Sequence, residues 1–297
     1  MNRSTIFLTM LPICSCANPS ADSISPTRYW PDNATTEQMP MATESDRSAA
    51  DAANPPYDAN EGSDNSCPSD MVLVDGSYCT RLLQPCYEWV SGGVKRCARF
   101  GPSRCEGIRE HKRFCIDRYE YPNIAGVKPV VMVSWVDARR ACEIEDKRLC
   151  LSTEWTFACE GEQDLPYPYG FVRDASACNF EVRMPIPGPR FDVFKEPRKV
   201  GDEVARLDRR VESGSSKKCI SPFGVHDMTG NVDEWVVNED HFAIPNLPDD
   251  KRPYVSGLKG GYWGPIRAAC RPITTAHGKL FRFYQIGFRC CANAKPS

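Results

Sequence analysis

Sixteen cysteines run from Cys14 to Cys291 in this chain of 297 residues, and they constrain its folding more than any other feature. A reducing cytosol rarely leaves so many thiols in one polypeptide, so disulfides or clustered metal sites must absorb them. Zinc sites would set cysteines in tight Cys-x-x-Cys pairs beside histidines. Longer gaps dominate here, and the whole chain has four histidines. The spacing therefore predicts a disulfide framework in an oxidising compartment. A net charge of −2 supplies no basic stripe to replace the counterions of a phosphate backbone, which excludes nucleic acid as a partner.

The N-terminus agrees with export. Arg3 precedes an apolar run from Ile6 to Ile13 that is too short to span a bilayer and suits a signal peptide, although Pro12 interrupts it. The run ends in Ile13-Cys14-Ser15-Cys16, and an aliphatic residue at −3 with a small one at −1 resembles the lipobox of bacterial lipoproteins. Residues 1–16 are therefore expected to be a signal peptide with lipidation at Cys16. Cleavage there removes Cys14 and leaves fourteen cysteines free to pair, an even number. Residues 17–66 are rich in Ser, Asp, Ala, Asn, Pro and Thr without an apolar period, so they cannot offset the entropy of ordering and read as a disordered tether. The expected location is the bacterial cell envelope, as a membrane-anchored lipoprotein, or the secreted fraction.

The folded region spans 67–297. Its first part, 67–115, holds Cys67, Cys79, Cys86, Cys97, Cys105 and Cys115. We read it as a cysteine-rich elaboration of the following domain, because Met71 to Gly76 has the alternation of an opening strand closed by a turn. Ser134-Trp135-Val136-Asp137 is a capping box leading into a helix that ends near Cys142. Ser152 or Thr153 can cap a second helix, Glu154 to Cys159. Beyond Cys159, prolines at 166, 168, 185, 187 and 189 punctuate a stretch where few long helices fit. Short helices, scattered strands and many bridges give an α+β class with much irregular structure.

Five segments, in order, resemble the formylglycine-generating enzyme (sulfatase-modifying factor) family. They are Phe114 to Asn123, Pro129 to Cys142, Lys147-Arg148-Leu149 with Thr153-Glu154-Trp155, Ser221 to Trp235 containing Gly230-Asn231-Val232-Asp233-Glu234-Trp235, and Gly260-Gly261 with Ile286-Gly287-Phe288-Arg289-Cys290. The resemblance implies a C-type-lectin-like variant fold with a small antiparallel sheet. It also implies two bridges, Cys142–Cys290 and Cys159–Cys270. Cys290 and Cys291 alternate across a strand, so only one of them is expected to face the core.

The same resemblance implies calcium. A first site would use Asp227, Gly230, Val232 and Glu234, whose carboxylates and carbonyls are the hard oxygen donors that calcium takes. A second would use Asn179, Phe180, Asp192 and Phe194. Copper is not expected. The family's oxidases hold Cu(I) on two free cysteines placed after a Gly-Gly motif, yet Tyr262 to Ala269 contains no cysteine before Cys270. Tyr262, Trp263, Arg267 and His277 stand in that strip and could form a stacking or anion-binding cleft. Two functions compete. One is a non-catalytic extracytoplasmic module that binds a protein, peptide or glycan of the envelope or the extracellular space. The other is a formylglycine-generating oxidase, or a different enzyme using the altered pocket.

Overall fold

The computed structural model describes residues 66–296 except 93, 94, 244–247, 249 and 250. The expected signal peptide, the Cys16 lipidation site and the tether up to residue 65 lie outside the described residues. In chain order the strands are β1 (Met71–Cys79), β2 (Leu82–Leu83), β3 (Cys86–Trp89), β4 (Cys97–Phe100), β5 (Arg104–Cys105), β6 (Arg109–Asp117), β7 (Arg148–Leu149), β8 (Asp233–Val237), β9 (Ser256–Lys259), β10 (Ile286–Phe288) and β11 (Cys290–Asn293). The helices are α1 (Trp135–Ile144), α2 (Ser152–Glu160) and α3 (Pro197–Leu207).

Strand β1 does not stop at Gly76. It continues to Cys79 because every residue finds a partner in antiparallel β6, from Met71 opposite Asp117 to Cys79 opposite Arg109. The main sheet has the order β1-β6-β11-β7, and a second has the order β10-β8-β9, with β10 parallel and β9 antiparallel to β8. The chain is α+β, as its segments predict.

The capping box at α1 forms: the Ser134 hydroxyl accepts the Asp137 N–H at 3.2 Å, and the Asp137 carboxylate accepts the Ser134 N–H at 3.0 Å. The face this creates buries Trp135, Ala138, Ala141 and Cys142. Helix α2 starts differently from expectation. Ser152 is already helical, and the cap is Leu151, whose N–H donates to Glu154 at 2.9 Å. Ser152 and Thr153 donate instead to the Glu239 carboxylate, which sits where the helix dipole favours negative charge. Helix α3 lies inside the stretch expected to be irregular. Pro197 fits its first turn, where no N–H is needed, and Glu203 is enclosed by Arg190 and Arg206. The frequent charges along α3 hide its apolar period.

All fourteen cysteines from Cys67 to Cys291 are bridged: Cys67–Cys115, Cys79–Cys105, Cys86–Cys97, Cys142–Cys290, Cys150–Cys291, Cys159–Cys270 and Cys178–Cys219. The two bridges implied by the family resemblance are among them. The first three stay within 67–115: Cys67–Cys115 ties the chain before β1 to β6, Cys79–Cys105 ties β1 to β5, and Cys86–Cys97 ties β3 to β4. The expectation that only one of Cys290 and Cys291 faces the core is corrected. Both are fully buried, because β11 has apolar clusters on both faces, Cys291 packing with Trp155 and Phe157 and Cys290 with Trp235 and Phe288.

Candidate functional site

Between the two sheets lies a buried polar hub. Glu234, on β8, receives the Arg289 guanidinium on both oxygens at 2.7 Å and the Trp155 indole N–H at 2.8 Å. Arg289 also donates to the His226 carbonyl at 3.0 Å. Asp227 accepts the Gly214 N–H at 2.7 Å. Glu120 uses one oxygen to accept from Ser213 and Asn231, both at 2.9 Å, while its other oxygen is buried without a partner. Burial drives the Asp227 carboxyl up to about 6. Burial, then the charges of Asp227 and Glu234, drive Glu120 well above the carboxylate range. His226 is pushed down to about 4 by burial and by Arg118 and Arg289, so it stays neutral at pH 7. Arg289 thus pairs with Glu234 alone, and the nearby Glu120 and Asp227 carboxyls meet no cation directly, an excess of acid that a proton or a cation would relieve.

The first expected calcium set is local to this hub. Gly230 turns the chain at φ +86°, and a side chain there would collide with the Asn179 carbonyl, 2.4 Å from a Cβ. The donors are hard oxygens, and the orphaned Glu120 oxygen beside them fits a hard cation. Among the described residues no three His, Cys, Asp or Glu side chains converge on one point, so such an ion would draw on the Gly230 and Val232 carbonyls as well. The second expected set is dispersed. Asn179 donates to Asn231 and to the Arg209 carbonyl, each at 2.9 Å. Asp192 is exposed, and Phe180 and Phe194 belong to separate apolar clusters.

The four residues of the expected cleft do not line one surface. Trp263 is fully buried in the cluster with Phe194, Leu207 and Tyr284, because α3 covers it. Tyr262 is half-buried edge-on to Trp263, with ring centres 5.5 Å apart, and shares a hydrogen bond with Tyr284. The His277 ring stacks on Phe281 at 4.0 Å. Arg267 alone of the four lines the cavity that opens beside Gly260 and Gly261, about 240 Å³ in volume, together with Asp233, Leu258, Lys259, Ile266, Pro272 and Thr274. Lys259 presents its stem there, its ammonium donating inward to the Thr156 hydroxyl at 2.7 Å and the Arg271 carbonyl at 2.9 Å. Burial lowers that ammonium to about 7. Asp233 accepts the Gly261 N–H, and burial raises its carboxyl to about 7 against that bond. The sequence places Asp233, Arg289 and Glu120 only within the family's segments and assigns no role to them or to Lys259. Strand alternation was the available signal for Asp233, since its neighbour Glu234 points to the opposite side.

A bridged α+β domain with this hub and this cavity is a scaffold of the sulfatase-modifying class. The chain belongs to the family described as Sulfatase-modifying factor enzyme 1-like domain, whose match covers residues 103–294. Among curated relatives, an Inactive C-alpha-formylglycine-generating enzyme 2 from Bos taurus is 27% identical over 175 residues, covering 56% of this chain and 50% of its own length. A Formylglycine-generating enzyme from Mus musculus is 26% identical over 187 residues, covering 57% and 45%. The chain thus spans about half the length of these relatives. Among solved structures, CarF is 18% identical with a TM-score of 0.47, covering 77% of this chain and 99% of that one.

Proposed function

We propose that this chain is a non-catalytic, extracytoplasmic binding module of the sulfatase-modifying factor family. One observation carries the reading: every cysteine from Cys67 to Cys291 is in a bridge, and none falls between Gly261 and Cys270. Copper oxidation of a client cysteine needs two thiolates on a soft ion, and no thiol is left among the described residues to supply them. The name of the inactive bovine relative is consistent with a family that keeps its scaffold without this chemistry. Seven bridges also suit an extracellular or secreted protein, and no helix among the described residues is long and apolar enough to cross a membrane. An anchor at Cys16 and a tether would hold the domain away from a bilayer, where it would meet a peptide, glycan or envelope protein.

Calcium belongs to the same reading. Asp227 and Glu234 would hold it with the Gly230 and Val232 carbonyls, and its charge would relieve the excess acid of the hub. The ion stiffens the scaffold and takes no part in a reaction.

Alkylation of the unreduced, denatured protein followed by peptide mapping tests the proposal. None of the fourteen cysteines is expected to be modified, and the folded protein should not compete for Cu(I) with a chelator. Two labelled cysteines together with tight Cu(I) binding would restore the oxidase.

A further inference from the structure

Apart from Glu120 and Asp227 in the hub, the enclosed acids of the domain meet a cation. Asp117 meets Lys147, Glu160 meets Arg271, Glu203 meets Arg190 and Arg206, and Glu234 meets Arg289. The cavity beside Gly261 breaks this habit. Asp233, half-buried in its wall, takes a backbone N–H and has no cationic partner within ion-pair distance among the described residues. Arg267, in the same wall and exposed, has no carboxylate partner among the described residues, and the two do not pair with each other. Lys259 does not settle the account, because its ammonium is turned away into the protein.

We infer that this cavity takes a small zwitterion, a free α-amino acid, with its ammonium on Asp233 and its carboxylate on Arg267. Burial of a carboxylate without a cation is costly unless a ligand supplies one, and a guanidinium offers a planar fork that a carboxylate matches. Size narrows the class: about 240 Å³ falls below the 300–1,000 Å³ usual for drug-sized ligands, so a glycan chain does not fit inside. Leu258, Ile266 and Pro272 line the remainder and favour a short aliphatic side chain. The inference rests on the proposed non-catalytic binding role and adds a small-molecule ligand to it.

The test is calorimetric titration of the full chain with the free amino acids, their decarboxylated amines and their N-acetyl derivatives. At least one small aliphatic amino acid should bind one to one, and removing either of its charges should weaken binding about tenfold or more. Asp233→Asn and Arg267→Gln should each cause a similar loss. Arg267 is exposed, so its variant reports on the ligand even if Asp233→Asn fails to fold. No binding of any free amino acid up to about 10 mM, or affinity unchanged by Arg267→Gln, overturns the inference. Peptide and glycan arrays run on the same protein separate the two failures. A ligand found there, with no amino acid bound, removes the zwitterion and keeps the binding module, whereas silence in both removes the two together.

Discussion

Cys142–Cys290 and Cys150–Cys291 span sequence separations of 148 and 141, and taken singly the chain-entropy model gives each about 5 kcal/mol. They are not independent. Cys142 and Cys150 are eight residues apart and Cys290 and Cys291 are adjacent, so with one bridge closed the other ties off only a short additional loop, worth about 2.5 kcal/mol. Cys159–Cys270 also remains in place and shortens the loop that the pair as a whole restrains, to a value of about 3.5 kcal/mol for the first bridge. Replacing Cys142 and Cys290 by Ala, or Cys150 and Cys291 by Ala, should therefore cost about 2.5 kcal/mol of bridge entropy each, and all four together about 6. Lost sulfur packing adds equally to both arms and cancels in the double-mutant cycle. Urea unfolding followed by circular dichroism reads these differences. A coupling near zero, with the quadruple substitution costing no more than the sum of the two single removals, would refute the nesting of the loops.

Trp263→Ala should destabilise the fold by about 3–5 kcal/mol, as truncation of a buried aromatic does, and a melting temperature equal to wild type would return this ring to the surface. Lys259 has its folded pKa lowered to about 7, below the unfolded value, so between those pH values the unfolded chain binds more protons and stability rises with pH. Lys259→Met should flatten the melting-temperature profile from about pH 7 to 10 relative to wild type, and parallel profiles would contradict the buried ammonium. Calcium should raise the melting temperature of wild type and leave Asp227→Ala unmoved; equal shifts in both would place the ion elsewhere.

What could be read before folding was local. The capping box of α1 is legible because its donors and acceptors sit within four consecutive residues. The start of α2 was not, because Glu239, 87 positions from Ser152, takes the donors that would have capped it. Trp263 illustrates the same limit. Beside Tyr262 and Arg267 it reads as a binding surface, and only the packing of α3, Tyr284 and Phe194 over it turns it into core.

The sequence by itself determined the disulfide economy, the order of the family's segments and the absence of cysteine between Gly261 and Cys270, since these depend on residue identity and spacing alone. Tertiary structure decided that both Cys290 and Cys291 are buried, that Glu120 and Asp227 lie near the Glu234–Arg289 pair, and that Asp233 and Arg267 face one cavity without an ion-pair partner among the described residues. Those outcomes rest on which surfaces cover a strand and which charges meet across distant segments, and a linear pattern does not encode either.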